Sequence, residues 1–176
     1  MEVNEALALV EKIIEEHREI AHRFQTVEQV ASDASAMRGL ETGSEAFMPG
    51  RFDQKQGLQK LAASLEVIEQ GLQAHFNREE MSLPTAVETY GDEELMSALR
   101  SLLLAHENLR NRFAHSKKSV AELTGGGLSR QVWEASAHDM RAYLSHTRKL
   151  LEAHAMSEEQ LLHKVHGQLL EKAKEK

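Results

Sequence analysis

The chain has 176 residues, with 21 Lys and Arg against 28 Asp and Glu, a net charge of −7 and a pI near 5.8. That balance offers no electrostatic footprint for nucleic acid or an anionic membrane surface, and the absence of cysteine excludes disulfides, thiolate metal sites and cysteine-ligated iron–sulfur clusters. No apolar stretch approaches the roughly 20 residues a membrane-spanning helix needs, and the N-terminal segment, with Glu2 and Glu5, has neither a basic region nor an apolar signal segment, so a single cytoplasmic domain over residues 1–176 is expected.

The predicted elements are all helical. Two prolines and an abundance of Ala, Leu, Glu and Gln favour helices over strands. A first helix is expected from about Asn4 into the early thirties, with an apolar stripe of Val3, Leu7, Val10, Ile14, His17, Ile20 or Ala21, Phe24 and Val27. Residues 37–50, with Gly39, Gly43, Pro49 and Gly50, read as an irregular surface connection containing one short helical turn. A second helix starts near Asp53, where Asp53 and Gln56 have the spacing of a capping box. Its stripe is Leu58, Leu61, Leu65, Ile68, Leu72, His75 and Glu79, and Pro84 is expected to break or kink it.

A third helix follows Gly91, with Asp92 as N-cap and a stripe of Leu95, Leu99, Leu102, His106, Leu109 and Phe113. The fourth follows Gly125-Gly126-Gly127, with Ser129 as N-cap. Its stripe is Trp133, Ala137, Met140, Leu144, Thr147, Leu151, His154, Glu158, Leu161 and Val165.

Within this pattern one phrase occurs twice. Ala74-His75-Phe76-Asn77-Arg78-Glu79-Glu80-Met81-Ser82-Leu83 and Ala153-His154-Ala155-Met156-Ser157-Glu158-Glu159-Gln160-Leu161-Leu162 both read Ala-His-x-x-x-Glu-Glu-x-x-Leu. A shorter phrase precedes each copy. His17-Arg18-Glu19-Ile20-Ala21-His22-Arg23-Phe24 and His106-Glu107-Asn108-Leu109-Arg110-Asn111-Arg112-Phe113 both read His-x-x-(Ile/Leu)-x-x-Arg-Phe. The chain is therefore two half-repeats, each giving a lone His and then a His-x-x-x-Glu pair.

Residues four apart on a helix point the same way, so each pair aims an imidazole and a carboxylate at one neighbouring point. His17, His75, Glu79, His106, His154 and Glu158 all stand where a core leucine would otherwise sit. Burying such groups without a partner is costly, whereas a cation bound by imidazole nitrogen and carboxylate oxygen neutralises the charge. His22, His115, His138, His146, His163 and His166 fall off the stripes and read as surface histidines.

The spacing also sets the topology. The midpoint of His75 and His106 falls at Tyr90-Gly91, that of His106 and His154 near Ser129-Arg130, and that of His17 and His75 at Ala46. Each midpoint is a predicted turn. All four histidines can then share one level of an antiparallel up-down-up-down four-helix bundle.

These residues resemble the hemerythrin family, specifically its bacterial hemerythrin-like branch of HHE cation-binding domains. The resemblance covers nearly the whole chain and is carried by Glu16-His17, His75-x-x-x-Glu79-Glu80-x-x-Leu83-Pro84, Ala105-His106-Glu107 and His154-x-x-x-Glu158-Glu159. It implies a left-handed four-helix bundle holding two non-haem iron ions. Glu79 and Glu158 would bridge them, His17 and His75 would serve one iron, and His106 and His154 the other. Manganese or zinc would suit the same donors.

The oxygen-carrying members have a second histidine four residues after the one in the third helix, where this chain has Arg110. Water, Glu107 or an exogenous ligand would fill the position. Glu16, Glu80 and Glu159 are candidates for the outer layer that orients the imidazoles. The opposite order of ligands in ferritin-like bundles, Glu-x-x-His, argues against that class.

The function implied is a dimetal protein that binds or senses dioxygen, nitric oxide or iron at an open metal position. The alternatives are a di-iron redox enzyme that consumes peroxide or oxidises iron, and a metal-free helical interaction domain. Binding or sensing is favoured over enzymatic turnover, because no further acid or base lies in the stripes. Apolar neighbours in the stripes, among them Leu72, Leu102, Leu109, Phe113 and Leu151, would give an uncharged diatomic a dry pocket.

Overall fold

The computed structural model describes residues 2–22, 39–43, 47, 49 and 54–174, and for residues 15–22 the backbone alone. The continuation of the first helix into the early thirties, with Phe24 and Val27, lies outside the described residues. So do Asp53 and the side chains of Glu16, His17, Ile20, Ala21 and His22.

Four long helices make up the described chain: α1 Val3–His22, α2 Lys55–Tyr90, α3 Glu93–Gly125 and α4 Arg130–Lys174. They pack against one another as an all-helical bundle, α2 on α3, α3 on α4, and α1 chiefly on α4 with a lesser contact on α2. Lys117 pairs with Glu69, Arg110 with Gln73 and His106 with Glu80 across the contact of α3 with α2. Arg112 with Thr147 and Lys164 with Glu94 join α3 to α4. Among the described residues, no helix is long and apolar enough to cross a membrane.

The stripes of α2, α3 and α4 are buried along their whole predicted length. A spacing of three and four keeps those side chains on one side of a 3.6-residue helix, and burying that side stabilises helices far beyond their intrinsic propensity. On α1 the buried face is Val3, Ala6, Val10 and Ile13, while Leu7 and Ile14 are only half-buried against the core. The predicted stripe was therefore off by a fraction of a turn. Leu7, Leu9, Val10, Ile13 and Ile14 spread too widely for spacing to select the inward edge.

Helix termini follow local chemistry. Asp92 accepts a hydrogen bond from the Leu95 backbone N–H at 2.8 Å, the N-cap expected for α3. The Ser129 side chain accepts more loosely from Val132 N–H at 3.4 Å. α2 starts instead after Gln54, which makes no side-chain cap.

Pro84 does not end α2, which continues for six residues to Tyr90. Proline removes one backbone donor, but buried Leu83, Ala86 and Val87 anchor the helix on both sides of it.

Both short connections are built on glycine. Gly91 N–H closes the end of α2 on Val87 O at 2.8 Å, and a Cβ on Gly91 would stand 2.6 Å from that same oxygen. Gly126 and Gly127 turn into α4 with φ of 75° and 83°, a region that disfavours side chains. The Trp133 indole N–H then donates to Leu123 O at 3.1 Å, tying the start of α4 to the last turn of α3.

The connection before α2 contains the expected short helical turn but does not lie on the surface throughout. Residues 39–43 are helical, and Leu40 and Phe47 are buried. Phe47 meets Trp133 edge-on at 6.4 Å. A Cβ on Gly39 would stand 3.0 Å from Ile68, so its absence lets this segment lie directly on α2.

Among the described residues the apolar core falls into two clusters. One cluster runs from Leu40, Phe47 and Trp133 to Phe76, Leu109 and Leu151. A second joins Val10 and Ile13 to Leu83, Leu102 and Leu161. The His and Glu residues of the repeated phrase occupy the level between them.

A candidate metal centre

Five of the six predicted ligand residues meet at that level: His75 and Glu79 from α2, His106 from α3, and His154 and Glu158 from α4. All five are buried, with at most 5 % of their surface exposed. The side chain of the sixth, His17, lies outside the described residues, although the α1 backbone that bears it is described.

Their donor atoms form two overlapping groups that share Glu79. One is Glu79, His106 and His154. The other is His75, Glu79 and Glu158. Within each group the ligand atoms lie within 4.8 Å of one another. His106 Nε2 stands 3.3 Å from Glu79 Oε2, and His75 Nε2 stands 3.5 Å from both Glu79 Oε1 and Glu158 Oε2. His154 Nε2 is 3.8 Å from Glu158 Oε2. The His106 and His154 rings meet edge-on with centroids 4.8 Å apart.

The electrostatics suit a cation. Burial pushes the Glu79 carboxyl from 4.5 to about 7; the facing Glu158 carboxyl adds to this, and His106 and His75 only partly offset it. Both Glu79 oxygens and His106 Nε2 are buried without a hydrogen bond of good geometry among the described residues. Such groups are rare in folded proteins, because each forfeits its hydration. A divalent transition ion between them would satisfy all three atoms, and imidazole with carboxylate is the donor set that iron, manganese and zinc accept. The residues therefore fit the predicted group.

Of the proposed outer layer, Glu80 is in place. Its Oε1 accepts from His106 Nδ1 at 3.0 Å and from Arg110 Nη1 at 2.8 Å. Partial burial pushes Glu80 up, but the bonds from Arg110 and His106 outweigh it and hold the carboxyl below its ordinary value. Glu159 is not in this layer: it is 72 % exposed and pairs with His163. Glu107 is exposed as well, so its side chain does not fill the position left open by Arg110. Both sit one residue after a buried ligand, as Glu80 does, but Glu80 is held by His106 and Arg110 of the facing helix while Glu107 and Glu159 face solvent. Met81 and Met156 are exposed too. His115, His138, His146 and His163 are exposed and His166 half-buried, as expected for residues off the stripes.

Two participants were not visible as such in the sequence. Phe76 is buried and stacks on the His106 ring with centroids 4.0 Å apart and planes 13° from parallel. It follows His75 directly and therefore widens the stripe rather than lying in it; its spacing of four from Leu72 and three from Glu79 is the signal that could have placed it. Arg110 turns away from the ligand atoms towards Glu80, Gln73 and Asn77. Apolar neighbours Leu72, Leu102, Leu109, Phe113 and Leu151 are buried. A groove of about 820 Å³ between α3 and α4 reaches His154 along Leu102, Ala105, Leu109 and Leu150.

Comparison of the chain with family models, with curated proteins and with solved structures returned no match.

Proposed function

We propose that the chain is a hemerythrin-like dimetal protein. In this reading an up-down-up-down bundle holds two iron ions, through which it binds or senses dioxygen, nitric oxide or iron. The observation that carries it is the convergence of five buried ligand-type side chains on one core level, in two groups sharing Glu79.

Glu79 and Glu158 are the bridging candidates. His106 and His154 would serve one ion, and His75, joined by His17 from α1, the other. Bound iron supplies reversible redox chemistry and a coordination position open to a small ligand. The protein's own part is to hold the imidazoles in orientation, through Glu80 at His106, and to keep bulk water out with Leu72, Leu109, Phe113 and Leu151. A dry surround favours an uncharged diatomic over an anion.

A metal-free interaction domain would leave Glu79 and His106 buried at a standing cost. That disfavours it against a reading in which a cation offsets the cost.

Elemental analysis of protein produced with iron supplied tests the proposal. Two metals per chain are expected. One would reduce the reading to a mononuclear site, and a persistent absence of metal would end it. An optical spectrum recorded without and then with dioxygen or nitric oxide should change reversibly. Steady consumption of peroxide above that of free iron would transfer the assignment to a redox enzyme.

A further inference from the structure

Arg110 follows His106 by four residues, so it leaves α3 on the same side. Its guanidinium does not reach for the ligand atoms. It lies across one face of α2, bonding Gln73 Oε1 through Nε at 3.0 Å, Asn77 Oδ1 through Nη2 at 3.4 Å and Glu80 Oε1 through Nη1 at 2.8 Å. Residues 73, 76, 77 and 80 are the three- and four-step neighbours of one helical face. The fourth of them, Phe76, lies beneath the guanidinium with its centroid 5.3 Å from the Arg110 carbon.

Two of these partners in turn restrain His106. Glu80 Oε1 accepts from Nδ1 at 3.0 Å. This keeps the proton on Nδ1 and leaves Nε2, which faces Glu79 at 3.3 Å, as a lone-pair donor. Phe76 stacks on the face of the same ring. Arg110 thus touches both groups that set the position of His106, one holding its tautomer and the other its tilt. Arginine suits the task because its planar fork serves three acceptors at once.

We propose that Arg110 is a positioning residue, which fixes His106 as a metal ligand by clamping Glu80 and Phe76. This rests on the metal-binding reading above. It also gives a role to the residue that replaces the second histidine of the oxygen carriers.

The test uses cobalt(II) as probe and the full chain as R110A, R110K and E80Q. Wild-type protein should bind cobalt in two steps, followed by calorimetry and by the visible spectrum. E80Q should weaken one step about 10- to 100-fold, the range for loss of a histidine's carboxylate partner. R110A should weaken that same step about 10-fold and leave the other in place. The variant combining R110A with E80Q should be no weaker than E80Q alone, as residues acting through one link require. R110K should recover part of the loss, since an ammonium can hold Glu80 but cannot fork to Gln73 and Asn77.

In the metal-free protein, nitrogen NMR should find His106 as the Nδ1–H tautomer in wild type and a mixture in R110A. Three results would overturn the proposal. Both steps and the tautomer could be unchanged in R110A. Both steps could weaken equally as the metal-free fold melts earlier, which marks a structural role. Wild-type protein could take up no cobalt, which overturns the metal reading itself.

Discussion

Replacing Glu79 with glutamine separates the stability of the fold from that of the site. Burial raises the Glu79 carboxyl from 4.5 to about 7. A carboxyl raised on folding leaves stability intact below its unfolded value and removes it as pH rises through its folded value. The window here is therefore pH 4.5 to 7. At pH 8 the metal-free wild type carries the full penalty, about 3 kcal/mol for a shift of this size. Glutamine carries no charge, and its amide can donate to Glu158.

Metal-free E79Q should accordingly be more stable than wild type at pH 8 by up to about 3 kcal/mol, or about 6–12 °C in Tm for a chain of this length. The advantage should shrink to less than about 1 kcal/mol at pH 5. Urea unfolding in the presence of a chelator measures both values. Adding metal should invert the order. Wild type should gain about 4 kcal/mol at a thousandfold excess of free metal over Kd, and E79Q far less. A metal-free E79Q that is less stable than wild type at pH 8 would refute the reasoning, because Glu79 would then be a satisfied carboxylate needing no cation.

Two further predictions concern the fold. Gly91→Ala places a methyl 2.6 Å from Val87 O and should destabilise the protein by about 1–3 kcal/mol, as overpacking does, measured by chemical denaturation. Asp92→Ala should lower the thermal midpoint near neutral pH by removing the α3 cap. The bond from Leu95 N–H, with help from Gln168, holds the Asp92 carboxyl below its ordinary 3.8. The cap's contribution is thus present above that value and lost as pH falls through the depressed one, so the midpoints of variant and wild type should converge below pH 3.8.

Much of this arrangement is legible from spacing. Three-and-four periodicity places His75, Glu79, His106, His154 and Glu158 in buried stripes, because a helix leaves no freedom about which residues share a side. The turn positions follow from symmetry about Gly91 and the glycine run. What escapes is chemistry that depends on the neighbouring helix. Arg110 and Phe76 acquire their roles only once α2 faces α3, and of the acids that follow a ligand directly only Glu80 finds partners on the neighbouring helix, whereas Glu107 and Glu159 face solvent. Pro84 does not break α2, because burial on both sides of it holds the helix. The side of α1 that turns inward is set by its contacts with α4 and α2, not by its own sequence, and the Asp53 cap and the far end of that helix fall outside the described residues.

The division of the core into two apolar clusters makes the His and Glu level a seam. Leu40, Phe47 and Trp133 close one half, and α1 closes the other. Continuous α2, α3 and α4 tie the halves together through their backbones, while among the described residues the seam itself is made mainly of His and Glu side chains, with Phe76 stacked on His106. Cooperative opening follows contiguous packing, so in the metal-free protein the half closed by α1 should exchange its amide protons as a unit before the Trp133 half does, which native-state hydrogen exchange measures. A cation gripped from both sides would fuse the two units into one, and its arrival would read out as slowed exchange in helices far from any ligand atom.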